Sequence, residues 1–401
     1  MMLFKKVKHH NSRVFLAINI LQNLWFVEAV WFFFFANFVS YSQIGLIFLI
    51  STLAGMLAEI PTGVFADHFG RRLSVISGSL MLSVAFLLMA TTTGFWQFLF
   101  GGILSSIGRA FISGALDAVV YDSMPTRDRE KNYEYLVTVN NQLTIAFFAI
   151  TVLVGGFLYQ FYIRLPHLLF TLANFIAFIV SFSLIENHKQ DKKFNNPVNV
   201  WANNLAGFKQ LRQISLRPLL VPILMILSFF ALYDWGFSKP SMALNFGFQV
   251  EGQAVIYAVF SIINIVGIRL LPYLRKLSGD KLGLVGLSVL MGIGFILGSL
   301  PLGYFGVLAL ILIELAGFVA TPWISIVINE RISSQFRATT LSTIQFVANI
   351  PFVFTNILLG SFLDTNRANV FHLGVGIFII SVTVVYFYLQ GWTLKVKRVI
   401  C

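Results

Sequence analysis

Long apolar runs alternate along the chain with short polar breaks. Twelve runs of about 20 residues, the length a helix needs to cross a bilayer, are bounded by charged or turn residues. They cover 14–39, 44–66, 73–93, 96–122, 135–161, 166–185, 217–238, 252–274, 282–300, 303–328, 338–362 and 369–391. The longest polar stretch is 186–216, which holds His188-Lys189-Gln190-Asp191-Lys192-Lys193 and then Asn195, Asn196 and Pro197. It divides the runs six to six. The pattern predicts an all-α membrane protein with twelve transmembrane helices in two six-helix bundles, 1–185 and 217–401, joined by a linker over 186–216. Residues 203–216 read as an amphipathic helix on the inner membrane surface, with Leu205, Phe208 and Leu211 on one face.

Composition removes the soluble alternatives. The chain is 57% hydrophobic and 11% charged, against about 25% charged in soluble domains. Lipid is therefore the expected solvent, and the 43 phenylalanines suit lipid contact and aromatic-lined cavities. The formal charge of +12 would suggest nucleic acid in a soluble protein. Here its distribution argues otherwise. With the amino terminus inside, Arg164, Lys239 and Arg367 are the basic residues left outside, and Arg109 lies within a span. All the rest gather on one face, which predicts both termini in the cytoplasm and no nucleic-acid partner. We call that face the basic side. Cys401 is the single cysteine and excludes disulfides and thiolate metal sites within the chain. The ending -Val-Ile-Cys is not a prenylation box. The first apolar run has no small-residue cleavage site and reads as a span rather than a removed leader.

Between the second and third runs stands Gly63-Val64-Phe65-Ala66-Asp67-His68-Phe69-Gly70-Arg71-Arg72, of the form G-x-x-x-D-x-x-G-R-R. Gly63 is expected to permit a close helix contact and Gly70 a tight turn at positive φ. A generic basic loop needs no fixed spacing. This stretch resembles the inter-span motif of the major facilitator superfamily, with His68 where a basic residue is usual. The resemblance implies two six-span bundles, alternating access and a gate in which Asp67 and Arg71 engage Asp122. It also implies a bacterial plasma-membrane protein acting as a monomer.

Charges inside spans are expensive and call for a reason. Glu28 lies about 21 Å along the first span from inside, Arg109 about 20 Å into the fourth from outside, and Glu314 about 17 Å into the tenth from outside. All three fall near the midplane. Asp117, eight residues past Arg109, is about 12 Å deeper. Glu28 and Arg109 read either as a packing ion pair or as a proton site, because a dry site favours a neutral acid and a guanidinium favours its anion. Glu314 reads as a hydrogen-bonded carboxyl or as a proton carrier. Asp234, near an outer span end, reads as hydrated. The stretch Arg109-Ala110-Phe111-Ile112-Ser113-Gly114 resembles the fourth-span arginine motif of the proton-coupled drug exporters in this superfamily. With an acid in the first span, that resemblance implies proton coupling at Glu28 and Arg109; Asp117 and Glu314 are further proton-coupling candidates as charges inside spans.

Trp25, Tyr233, Tyr257, Asn264, Trp323 and Asn349 are candidates to line a substrate cavity. The fifth-span exporter signature is reduced here to Gly155-Gly156, lacking its Gly-Pro. Arg275, Lys276 and Asp280 only faintly echo the first-half motif. No phosphate loop, H-E-x-x-H pair or serine elbow occurs in the chain, so no enzyme activity, metal or cofactor is expected. Two functions compete: proton-driven export of amphipathic small molecules, cationic ones included, and symport or uniport of a sugar, peptide or other nutrient.

Overall fold

The computed structural model describes residues 9–186, 216–332 and 337–400. Most of the expected linker, including the helix expected at 203–216, lies outside the described residues, as does Cys401. The described elements are helical. The first half holds α1 (His10–Gln22), α2 (Trp31–Ala36), α3 (Tyr41–Phe69), α4 (Arg71–Ala90), α5 (Phe95–Ile112), α6 (Ala115–Ser123), α7 (Arg129–Phe161) and α8 (Leu165–Ser181). The second holds α9 (Arg217–Asp234), α10 (Ser238–Asn245), α11 (Val250–Gly298), α12 (Val307–Arg331), α13 (Arg337–Asp364) and α14 (Ala368–Ile400). Among the described residues, nine helical stretches are long and apolar enough to cross a membrane. One of them, α11, carries two expected spans that meet at Gly279, where φ is 64° and ψ is 170°. Every expected span falls on helix, but three of them are broken.

The first span stops at Asn23 and resumes at Trp31. Asn19 and Asn23 donate their side-chain amides to Phe15 O and Asn19 O. Such side chains compete with the backbone ladder and weaken a helix. The following residues close short turns instead, with Phe26 N–H on Leu24 O and Glu28 N–H on Trp25 O. The fourth span breaks at Ser113-Gly114, where Gly114 takes φ 71°. The seventh breaks between Asp234 and Ser238.

The chain forms two compact units. One comprises 1–39, 46–197 and 250–258, the other 40–45, 198–249 and 259–401. Residues 250–258 group with the first unit and 40–45 with the second. In the first unit, a methyl group on Gly156 would sit 2.4 Å from Ala254 Cβ. This contact draws 250–258 into that unit. In the second, a methyl on Gly360 would sit 2.5 Å from Tyr41 O, and the Asp364 carboxylate accepts the Tyr41 and Ser42 N–H groups. A carboxylate at a helix start satisfies donors that the helix itself leaves open.

Helices approach closely where glycines face each other, as small residues allow in lipid. A methyl on Gly78 would meet Gly108 O at 2.5 Å, which brings α4 onto α5. Large apolar side chains such as Leu57, Phe161 and Phe305 stay exposed, as a lipid-facing surface requires.

Candidate functional site

In the first unit the polar mid-span residues collect at the broken first span. Gly155 on α7 makes this possible, because a methyl there would lie 1.8 Å from Phe26 O. Trp25 and Glu28 sit on the irregular stretch itself. Arg109, in the last turn of α5, places its guanidinium carbon 5.1 Å from the centroid of the Trp25 ring. Trp25 also packs at 5.1 Å on Phe170 and donates its indole N–H to Asn23 Oδ1 at 3.2 Å. Arg109 forms no ion pair among the described residues, so it meets Trp25 and not the Glu28 carboxylate. Asp117, in the first turn of α6, accepts the Tyr133 hydroxyl at 2.6 Å. The break at Gly114 puts Arg109 at a helix C-terminus and Asp117 at a helix N-terminus. Each charge therefore faces the helix end that attracts it.

The loop motif is held from two sides. Arg71 Nη1 lies 2.5 Å from Asp122 Oδ2. The Arg71 and Arg72 N–H groups donate to the two oxygens of Glu186 at 2.9 and 3.0 Å, and Arg72 also reaches Phe182 O. Gly70 takes φ 98°, and a methyl there would stand 2.9 Å from Glu186 Oε2. Asp67 is exposed and forms no hydrogen bond or ion pair among the described residues. The close helix contact expected at Gly63 is not present, since a methyl there meets nothing within 4 Å.

In the second unit, Asn264 Nδ2 on α11 donates to Glu314 Oε1 on α12 at 2.8 Å, with both residues buried. Two residues singled out separately by the sequence thus form one site. Three of the proposed cavity aromatics are instead packed inside. Tyr233 is buried and its hydroxyl donates to Leu310 O at 3.0 Å; Tyr257 is buried with its hydroxyl on Gln253 Oε1 at 3.0 Å. Trp323 is 1% exposed and donates its indole N–H to Asp280 Oδ1 at 3.0 Å. All three rings are buried in this structure, and the polar atom of each meets a partner inside. Asn349 is half-buried and accepts Gln345 Nε2 at 3.2 Å.

Asp280 is the hub of a cluster on the basic side. Arg275 lies 2.8 Å away, Arg331 2.8 Å, and Arg275 pairs in turn with Glu330. Burial pushes the Asp280 carboxyl up, but hydrogen bonds from Arg275, Trp323 and Arg331 outweigh it and hold the group at about 2. The faint motif at Arg275–Asp280 and the separate Asn329-Glu330-Arg331 stretch therefore belong to one network. Asp234 is likewise not simply hydrated: Lys239 Nζ stands 2.5 Å from its Oδ1. Lys239, counted as an outer basic residue, is buried.

A family model described as Major Facilitator Superfamily matches residues 14–355. The chain belongs to the Major Facilitator Superfamily. Its members are transporters and not enzymes, and the protein is a multi-pass membrane transporter with bacterial relatives. A Bacillus subtilis protein named as an uncharacterized MFS-type transporter, YxaM, is 23% identical over 399 residues, covering 92% of each chain. The quinolone resistance protein NorA of Staphylococcus aureus is 21% identical over 191 residues, 46% of this chain and 45% of that one. A crystal structure of the nucleoside transporter NupG superposes with a TM-score of 0.74 at 11% identity, covering 97% of this chain and 99% of that one. At that identity the superposition shows the shared major facilitator fold alone.

Proposed function

We propose that this major facilitator protein exports amphipathic small molecules across the bacterial plasma membrane by alternating access, driven by protons entering the cell. The observation that carries this reading is the Glu314 carboxyl, buried near mid-span with Asn264 donating to it at 2.8 Å. A carboxyl in such a place exchanges a proton at a large difference in free energy between its wet and dry states. The partial likeness to NorA favours export. In this reading Glu28 is a second proton group, Trp25 contributes to the substrate cavity, and Arg109 influences Glu28 through the shared irregular stretch. Asp117 belongs to the same relay through Tyr133. Gly63, Asp67, Gly70, Arg71, Arg72 and Asp122 form the gate. Asp67 and Gly63 present an open face that a helix covers in the alternate state. The basic side is the cytoplasm and holds both termini, and the monomer is the working unit.

The Thr151-Val152 pair, which replaces the exporter Gly-Pro, favours a second reading, nutrient uptake by symport or uniport. Transport of a dye panel and of labelled nutrients into inverted vesicles, with and without a pH gradient, separates the two. Export predicts dye accumulation that collapses with the gradient and falls at least tenfold in Glu314→Gln. Accumulation of nutrient but not dye in right-side-out vesicles favours the second reading.

A further inference from the structure

Glu59 is a charge within the second apolar run that neither the gate nor the proton groups use. It lies on α3 about 15 Å before the helix end at Phe69. The residue is exposed, and its side chain forms no hydrogen bond or ion pair among the described residues. A carboxyl at this depth is costly unless water or a ligand reaches it.

Its exposure is not to lipid. The exposed apolar side chains of this part of α3 are Leu53, Leu57 and Val64. Successive helix residues turn by about 100°, so Glu59 stands about 120–160° away from all three. On α5 the exposed Trp96 and Phe100 mark the same boundary, and Arg109 stands about 140–180° from them. Arg109 is exposed as well. Both charges therefore point away from the lipid side of their helices.

They also stand level. A methyl on Gly102 would lie 2.3 Å from Ser51 Oγ, one on Gly55 would lie 3.1 Å from Ser106 Cβ, and Thr62 Oγ1 donates to Ala110 O at 3.3 Å. The numbers rise together, so α3 and α5 run parallel and Arg109 falls beside the turn that begins at Glu59. Gly63, one turn further on the Glu59 face, borders open space, since a methyl there would meet nothing within 4 Å. The opening continues from the two charges toward the basic side. The Arg109 guanidinium rests on the Trp25 ring at 5.1 Å. A ring face attracts the cation but leaves its fork of N–H donors unfilled.

We propose that Glu59 and Arg109 are the two poles of a site for a zwitterionic small molecule. The cationic group of the ligand meets the Glu59 carboxylate. Its carboxylate meets the Arg109 guanidinium, and an aromatic body packs beside Trp25. A ligand with only a positive charge is repelled by Arg109, and one with only a negative charge is repelled by Glu59. A ligand with both forms two charge-assisted contacts. This inference rests on the transport reading above for its use, while binding depends on neither the direction nor the driving ion.

A matched pair of dyes tests it. Rhodamine B is a zwitterion; its ethyl ester keeps the rings and the positive charge and lacks the carboxylate. Fluorescence anisotropy with purified protein in lipid nanodiscs, in mildly alkaline buffer and with empty nanodiscs subtracted, reads both affinities. The parent should bind the zwitterion at least tenfold tighter than the ester. Arg109→Gln should erase that preference by weakening the zwitterion alone, and Glu59→Gln should weaken both dyes at least tenfold. Arg109→Lys and Glu59→Asp, which keep the charges, should retain the preference. A parent without the preference overturns the proposal with no variant needed. Arg109→Gln with the preference intact, or Glu59→Gln at parental affinity, overturns it equally. Vesicles that export no dye while the purified protein keeps the preference refute the export reading and leave the site standing.

Discussion

The two basic-side charge clusters are built on opposite terms. In the first unit the sequence motif is strong and its ion pair is exposed: Arg71 meets Asp122, Glu186 caps the start of α4, and Asp67 lies exposed. In the second unit the motif is barely readable and the contacts are dense. Asp280 alone gathers Arg275, Arg331 and Trp323, and Arg275 adds Glu330. Both loops turn at a positive-φ glycine immediately before the charge, Gly70 before Arg71 and Gly279 before Asp280. The difference lies in burial. The Asp280 side chain is 14% exposed and that of Asp122 is 53% exposed. A recognisable motif thus does not measure how much a cluster stabilises the unit that carries it. The open carboxylate of Asp67 is the one suited to change partners, and the saturated Asp280 is the one suited to hold.

The sharpest way to break this comparison is Asp280→Ala. It removes one acceptor from each of two guanidinium groups and the acceptor of a buried indole N–H, and should cost about 3 kcal/mol of stability. Thermal unfolding in detergent measures it, and a loss no larger than that of Asp122→Ala would refute the contrast. The same hub sets a pH dependence. The folded value of Asp280, about 2, lies below its free value of 3.8. Its stabilisation is therefore complete above pH 3.8 and is lost as pH falls through 2. The stability gap between parent and Asp280→Asn should narrow over that window and stay constant above it.

Gly70→Ala comes next, at about 2 kcal/mol, from a backbone region that side chains avoid. Gly279→Ala tests the parallel position without a neighbouring carboxylate, so any excess cost at Gly70 reports the Glu186 contact. Asp122→Ala should cost less, about 0.5–1 kcal/mol, because its ion pair is exposed. Asp67→Asn should change stability by less than about 0.5 kcal/mol. Its effect is expected in spin-label distances between the two halves, where the populations of the two access states shift. Unchanged distances across pH and substitution would remove Asp67 from the gate.

The helical, apolar spans were legible because lipid imposes one rule, that long runs of backbone polar groups be satisfied within a helix among apolar side chains. That rule leaves its record in composition, residue by residue. That Glu28, Arg109 and Glu314 fall within apolar runs was legible for the same reason. Partners were not. The first span breaks at Asn23, so Arg109 meets Trp25 in place of Glu28. The seventh breaks at 235–237, so Asp234 finds Lys239. Glu186, the first polar residue after the sixth apolar run, could be noticed in sequence but not assigned to Arg71 and Arg72, 115 and 114 residues away.

By itself the sequence determined a membrane-spanning, all-helical chain of two halves and the identity of the charges that lipid would have to tolerate. The tertiary structure decided which of those charges meet. Trp323, Tyr233 and Tyr257 show the reason. An aromatic residue with one polar atom suits a cavity wall as well as a core, and only the positions of Asp280, Leu310 and Gln253 committed each to the interior. Burial of an apolar run is favoured by composition, whatever its neighbours are. A hydrogen bond or ion pair needs two atoms within about 3 Å, and helix breaks and glycine contacts far apart in the chain set that distance.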